Sequence, residues 1–402
     1  MDDLLGRLTD VYRDLHRHPE LSGEEHRTAG VVAAWLLALG HEVVEGIGGT
    51  GVVGVLRNGP GPTVLLRADM DALPVTEATG LAYASGAEGT MHACGHDVHV
   101  TCLLGAAERL TLSRESWSGT VVLLFQPAEE TVTGARSMVD DGLFSRVPRP
   151  DVVLGQHVAP LPAGMLGLRS GAAFAASDSV RVTLHGVGGH GSRPEATVDP
   201  VVMAAAAVLR LQTLVSREVA GTDTAVVTVG ALNAGSKPNI IPDSAQLLLN
   251  IRSYDETVRA HLLDGIDRIV RAEADASRAP RPPDLQVFES APAVVNEADA
   301  VLRTRAALES VVGVGRVVDP GQVTGSEDVG VLATAAGAPL VYWLLGGADP
   351  AAFAGAATVE QLVRVVAGLP SNHSPQFAPV EDPTLRLGVE ALVAAATEWL
   401  DG

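Results

Sequence analysis

From its amino terminus the chain places Leu4, Leu5, Leu8, Val11, Tyr12 and Leu15 at helical spacing, breaks at His18-Pro19, and resumes an apolar period from Glu24 to Leu39. Two helices are predicted there, ended by Gly40. Two short β-branched segments, Gly51 to Leu56 and Thr63 to Ala68, are bounded by Gly and Pro and read as strands. A helix from Asp97 to Leu110 and a buried strand from Thr120 to Gln126 follow. Strands alternating with helices predict an α/β layer whose sheet is largely parallel and covered on both faces.

The pattern changes near Ser177. Val180 to His185 alternates like a half-buried strand, Val198 to Leu214 is helical, Ala225 to Leu232 and Ala245 to Ile251 are strand-like, and Glu256 to Ala274 is helical. This β-α-β-β-α order fits a small α+β sandwich of roughly a hundred residues. The Pro-rich stretch Ala279 to Pro283 reads as its edge or last loop. Helical patterns at Glu297 to Val311, Val329 to Ala336 and Pro383 to Leu400, with a strand at Pro339 to Leu345, restore the α/β signature. Residues 178–289 are therefore expected to form a domain inserted into one built from 1–177 and 290–402.

At 402 residues, 47% of them apolar, with a mean hydropathy of +0.23, the chain has material for two globular cores. Its 28 Lys+Arg against 48 Asp+Glu give a net charge of -20, a surface that repels a phosphate backbone, so nucleic acid is excluded as a partner. The longest apolar runs, such as Val201 to Leu209, meet a charge within about ten residues, short of the ~18 a membrane span needs. Met1-Asp2-Asp3 carries no basic and then apolar stretch of the secretory kind, and a cytoplasmic protein with no membrane partner is expected. Two cysteines, Cys94 and Cys102, make no disulfide framework.

Candidate chemistry concentrates in loops. Met91-His92-Ala93-Cys94-Gly95-His96-Asp97-Val98-His99 gathers a thiol, three imidazoles and a carboxylate, all metal-ligand types, just ahead of a predicted helix. Packing alone explains a lone histidine, but not this density. Gln126-Pro127-Ala128-Glu129-Glu130 sits directly after an apolar strand, where open α/β sheets hold their sites. Two adjacent carboxylates there can divide labour, one binding a cation and the other accepting a proton. His157 follows the apolar run Val152 to Leu154, and His373 lies in the polar loop Ser371 to Pro375.

These segments, together with Leu66-Arg67-Ala68-Asp69-Met70-Asp71-Ala72-Leu73-Pro74, Gly188-Gly189-His190 and Gly325-Ser326-Glu327-Asp328, resemble in content and order the motifs of the aminoacylase/hippurate hydrolase family. That family includes auxin-conjugate hydrolases and N-acetyl-diaminopimelate deacetylases, and belongs to the two-metal, glutamate carboxypeptidase-like metallopeptidases. The resemblance runs from Leu15-His16-Arg17-His18-Pro19-Glu20 past His373. It implies a two-metal exopeptidase-like α/β catalytic domain with an inserted, smaller, ferredoxin-like α+β domain through which homodimers form.

It further implies that Cys94, His96, Glu130, His157 and His373 bind two divalent ions (Zn, Mn, Co or Ni), and that Glu129 is the general base for a metal-activated water. His190 would stabilise the oxyanion, while Asn239 and Arg252 would hold the substrate carboxylate. The implied substrate is a small N-acyl amino acid. The wider group binds metal through His-x-Asp where this chain has Arg67-Ala68-Asp69, and a guanidinium cannot take a cation. Asp69 and Asp97 are accordingly expected in supporting roles. Pro194-Glu195 departs from the Pro-His of many members, which bears on the acyl pocket. Three other readings remain open at this point: a small-peptide metallopeptidase, a catalytically silent binding protein of the same fold, and a thiol hydrolase using Cys94 and His96.

Overall fold

A computed structural model describes residues 2–356 and 358–400. The chain divides into two compact units. One comprises Met1–Gly171, Val295–Gly321 and Asp328–Gly402; the other comprises Ala172–Val294 with Gln322–Glu327.

The first unit is built on an eight-stranded sheet in the order Glu42–Ile47, Gly51–Asn58, Gly119–Gln126, Thr63–Asp69, Val152–Pro162, Leu340–Ala348, Leu166–Gly167, Val317–Val318. Thr63–Asp69 runs parallel to both of its neighbours, and Val152–Pro162 runs parallel to Leu340–Ala348. Gly51–Asn58 is antiparallel to Gly119–Gln126 and to Glu42–Ile47, and Leu166–Gly167 is antiparallel to Leu340–Ala348 but parallel to Val317–Val318 at the far edge, so the sheet is mixed around a parallel centre. Val64 to Leu66, Val121 to Phe125 and Val152 to Leu154 are fully buried, as continuous apolar runs in a sheet covered on both faces must be.

The helix His96–Leu112 lies within this core, buried along most of its length beside Asp2–Arg17 and Glu381–Leu400. It starts from Gly95, whose φ of 85° is left-handed and where a Cβ would stand 2.4 Å from Val158 Cγ1. Only glycine allows Cys94 and His96 to flank that bend.

The second unit has a four-stranded antiparallel sheet, in the order Ala225–Ala234, Ser244–Ser253, Ala176–His185, Asp284–Ala291. Val180, Val182, Leu184, Ala245, Leu247, Leu249 and Ile251 alternate into one core with the helices Pro200–Thr213 and Glu256–Ala276. Asp199 caps the first helix through Val201 N, and Asp255 caps the second through Thr257 N and Val258 N. The fourth strand, Asp284–Ala291, is the element that periodicity misses: it is an edge strand, exposed over most of its length, and carries no apolar alternation. By length and composition alone Pro200–Glu218 is apolar enough to cross a membrane, although Arg210 and Arg217 interrupt its apolar run as the sequence shows. Met203, Ala204, Ala207, Leu211 and Leu214 on it are buried in the unit's own core.

At the centre of the first sheet a guanidinium is buried. Arg67, 1% exposed, donates from Nη1 to Asp69 Oδ2 at 2.6 Å, from Nη2 to Asp328 Oδ1 at 3.2 Å and from Nε to Gln126 Oε1 at 2.9 Å. Gln126 Nε2 returns a bond to Asp328 Oδ1 at 2.7 Å, and Ala135 N donates to Asp328 Oδ2 at 2.9 Å. Removing one member of such a group strands a charge without water. Arg67→Met should lower unfolding stability by roughly 3–5 kcal/mol, read as a fall in the urea midpoint; an unchanged midpoint would show that the network contributes nothing net.

Candidate metal centre

The site is assembled where the parallel strands of the first unit end. Thr63–Asp69 delivers Asp69 and, two residues on, Asp71; Gly119–Gln126 delivers Glu129 and Glu130; Val152–Pro162 carries His157. The loop before His96–Leu112 adds Cys94 and His96. His373 comes from far along the chain, with its backbone N bonded to Ala93 O at 2.8 Å. Asn372 straps the same region: its Nδ2 donates to Cys94 O and to Val158 O, both at 3.0 Å.

The ligand atoms of Cys94, His96 and His157 lie within 4.8 Å of one another, as do those of Cys94, Glu130 and His373, and those of His96, Glu129 and Glu130. Cys94 Sγ is 3.5 Å from His157 Nε2, and Glu130 Oε2 is 3.3 Å from His373 Nε2. The Cys94 thiol is thus common to two three-residue groups, each able to hold one ion. The donor chemistry fits divalent cations: His96 Nε2 and Glu130 Oε1 are buried, 3.8 Å apart, and lack a hydrogen-bond partner. Buried polar atoms left unpaired and facing each other are what a cation satisfies.

The remaining ring nitrogens are committed. His96 Nδ1–H donates to Asp71 Oδ1 at 3.2 Å, and His157 Nδ1–H donates to Val158 O at 2.8 Å, which leaves both Nε2 lone pairs for a metal. Burial alone would raise the Asp71 carboxyl, but the bond from His96 and that from the Ser22 hydroxyl hold it below the usual range. Burial pushes the Cys94 thiol well up and the Glu130 carboxyl to about 7, and it holds His157 neutral. A cation reverses the first two effects by favouring the deprotonated ligands.

Of the two carboxylates expected in supporting roles, neither orients a ligand directly. Asp69 takes Arg67 on Oδ2 and His99 Nδ1–H on Oδ1 at 2.5 Å. His99 Nε2 in turn accepts from Val158 N at 2.8 Å, so Asp69 acts on the strand that carries His157 through a neutral imidazole. Asp97 takes His16 Nδ1–H at 2.6 Å and Val98 N at 3.0 Å. His16 also reaches Glu77 Oε1 at 3.3 Å; burial opposes its charge, but the two carboxylates prevail and raise its pKa to about 9. Asp71 and Asn372 are the contributors that sequence reasoning missed, although both lie inside the quoted motifs.

The other predicted residues belong to the second unit. His190 and Ile240 are register partners in a two-stranded pairing, and Asn239 O accepts from Gly191 N at 2.9 Å, so His190 and Asn239 share one exposed loop cluster. His190 Nδ1 accepts from Ser192 N at 3.1 Å and from Ser192 Oγ at 2.7 Å, which leaves Nε2–H as the outward donor of the neutral ring. Arg252 is tethered within its unit, with Nε on Asn250 Oδ1 at 3.2 Å and Nη1 on Thr324 O at 2.7 Å and Ser326 Oγ at 2.9 Å.

Comparison with known proteins supplies a family. The model of peptidase family M20/M25/M40 matches residues 65–370. A hippurate hydrolase of Campylobacter jejuni is 44% identical over 277 residues, 68% of this chain and 72% of that protein. Thermostable carboxypeptidase 1 of Saccharolobus solfataricus is 35% identical over 398 residues, 98% of this chain and 95% of its own length. The solved structure of the Bacillus subtilis YXEP protein, described as a dinuclear metal binding peptidase, superposes with a TM-score of 0.79 at 28% identity, covering 100% of this chain and 99% of that one.

Two outcomes follow from the geometry. Asp71→Asn should weaken divalent-ion affinity about 10–100-fold, measured by chelator competition; unaltered affinity would deny Asp71 its orienting role. His16 gains its charge on folding, so the stability it adds is complete below its unfolded pKa of about 6.5 and is lost as pH rises through about 9. Thermal scans should show Tm falling between those values in the native protein, and a flatter profile in His16→Gln; parallel profiles would contradict this.

Proposed function

The chain belongs to peptidase family M20/M25/M40, and from that premise we propose that it hydrolyses the amide bond of N-acyl amino acids to a carboxylate and a free amino acid. It is an amidohydrolase. The observation that carries the reading is the pair of three-residue groups sharing Cys94, with the buried Glu129 carboxylate beside them. Cys94, His96 and His157 would hold one divalent ion, and Cys94, Glu130 and His373 the other. Such ions, when bound, lower the pKa of a water and polarise the scissile carbonyl. The thiolate favours zinc, cobalt or nickel, and the imidazoles and carboxylate also accept manganese.

Glu129 would take the proton of the attacking water and pass it to the leaving nitrogen, which departs as a neutral amine. Its place in a turn next to a proposed ligand, with the residue 6% exposed, suits a base shielded from bulk water. His190, with Nε2–H outward, has the tautomer an oxyanion donor needs. Asn239 and the Nη2 of Arg252 are the groups proposed for the substrate carboxylate. We further propose a homodimer formed by the second unit, supported by its open edge strand Ala225–Ala234 with exposed Val226 and Leu232.

A second reading, peptide cleavage by the same centre, is favoured by the full-length likeness to a thermostable carboxypeptidase. Purified protein loaded with defined Zn, Mn or Co is assayed against hippurate, N-acetyl amino acids and dipeptides. Faster hydrolysis of acyl substrates supports the first reading, and turnover of dipeptides alone overturns it. Glu129→Gln should keep two ions per chain and lose about 10²–10⁴-fold in kcat; a smaller loss would refute its role as base.

A further inference from the structure

Glu25 is wholly buried, and none of its recorded partners is a cation. It stands at the N-cap position of the helix His26–Ala38 but does not cap it; Glu20 does so, accepting from Arg27 N and Thr28 N, both at 2.8 Å. The Glu25 carboxylate turns inward instead. Oε1 accepts from Gly23 N and from Ala128 N, both at 2.8 Å, and Oε2 accepts from the Thr50 hydroxyl. A carboxylate taken out of water and paid back only by neutral donors needs a reason to be there.

The reason lies in the turn it reaches. Ala128 has φ of 50°, a left-handed conformation that a residue with a Cβ adopts only under constraint. Its carbonyl is held by Gly134 N at 3.0 Å and Thr133 N at 3.3 Å. Gly134 must lack a side chain, since a Cβ there would fall 1.6 Å from Pro127 O. Two residues on, Glu130 N donates to Asp71 Oδ2 at 2.9 Å. The backbone of Glu129 is thus bracketed by two pinned amides, Ala128 N on Glu25 and Glu130 N on Asp71. Asp71 also orients His96; Glu25 touches none of the proposed ligand side chains.

We infer that Glu25 is a positioning residue for Glu129: by fixing the Ala128 peptide it aims the base, without itself touching a side chain that would hold an ion. The inference rests on the two-metal amidohydrolase reading given above. Glutamine can reproduce every bond, with its amide oxygen on Gly23 N and Ala128 N and its NH₂ on Thr50 Oγ, whereas alanine reproduces none.

The experiment compares the native protein with Glu25→Gln, Glu25→Ala and Thr50→Val, each loaded with Co(II), recording ions per chain, the Co(II) visible spectrum, Tm, and kcat and KM on whichever acyl substrate the native enzyme turns over. Glu25→Ala should keep two ions and an unchanged KM, lose kcat by about 10²-fold and alter the Co(II) spectrum through the displaced Glu129–Glu130 turn. Glu25→Gln should stay within a few-fold of the native rate, and Thr50→Val should lower Tm while sparing kcat. Native-like kcat and spectrum in Glu25→Ala overturn the inference, as does a kcat loss of equal size in Thr50→Val, which marks a general structural role. If Glu25→Ala does not fold, Glu25→Asp, one methylene short of Ala128, is read by the same criteria. A native protein inactive on every acyl substrate defeats the functional reading instead, and the Co(II) spectra of the variants then decide the inference alone.

Discussion

A charge with no water around it must be answered in full by the protein, and Arg67 imposes that demand on the centre of the first unit. Its guanidinium fixes Asp69 on its own strand, Gln126 at the end of the next, and Asp328 far along the chain, while Tyr342 OH approaches Nη1 at 3.3 Å. Those contacts join Thr63–Asp69, Gly119–Gln126 and Leu340–Ala348 through one polar layer inside an apolar sheet. The register agrees: Asp69 faces Gln126, and Arg67 faces Gly155, where a Cβ would meet the Tyr342 ring at 2.9 Å. The layer sits at the ends of Thr63–Asp69 and Gly119–Gln126, just ahead of the Glu129–Glu130 turn.

From that layer the constraint passes outward through hydrogen bonds whose direction is fixed. Arg67 makes Asp69 an anion, Asp69 makes His99 a Nδ1–H donor, and His99 must then accept from Val158 N, beside His157. A parallel line runs from Ser22 through Asp71 to His96 and to Glu130 N. In both, a carboxylate settles which imidazole nitrogen carries the proton, the step that turns a histidine into a ligand of defined tautomer. The cluster Asp69, His96 and His99 has the spacing of a cation site, yet each Asp69 oxygen already accepts a bond and both His99 nitrogens are engaged, so His99 has no lone pair to offer an ion there.

Much of this was legible in the sequence because it is local. Apolar runs such as Val121 to Phe125 marked the central strands, and the polar residues directly after them marked the loops that form the centre. Cys94, Glu129, Glu130 and His373 stand in loops, His96 opens the helix His96–Leu112, and His157 lies within the strand Val152–Pro162, directly after its apolar run. What escaped was either weakly patterned or non-local. Glu42–Ile47 and Asp284–Ala291 are edge strands with mixed, exposed faces, so no apolar period announced them. Asp71, Glu25 and Asn372 act across 59, 103 and 278 residues of chain, on Glu130, Ala128 and Cys94 respectively. Each looks like an ordinary loop residue until the strands that separate it from its partner are laid side by side. The membrane-like composition of Pro200–Glu218 shows the converse: a local signal whose meaning is decided by the core it fills.

The distribution of chemistry between the units carries a last consequence. All five proposed ligands and Glu129 belong to the first unit, as do Asp71, Glu25 and the Arg67 layer. The second unit contributes His190, Asn239 and Arg252, whose proposed work is on the substrate. On that proposal, ion binding would be governed by buried hydrogen bonds within one core, while substrate recognition would draw on exposed loops of the other unit, where Pro194-Glu195 also lies. Exposed loops tolerate substitution far better than a buried, fully paired network does. On that proposal, a fold arranged in this way could change its substrate without disturbing the centre, in keeping with relatives named as different as hippurate hydrolase and thermostable carboxypeptidase, while this chain keeps its clusters of ligand-type residues.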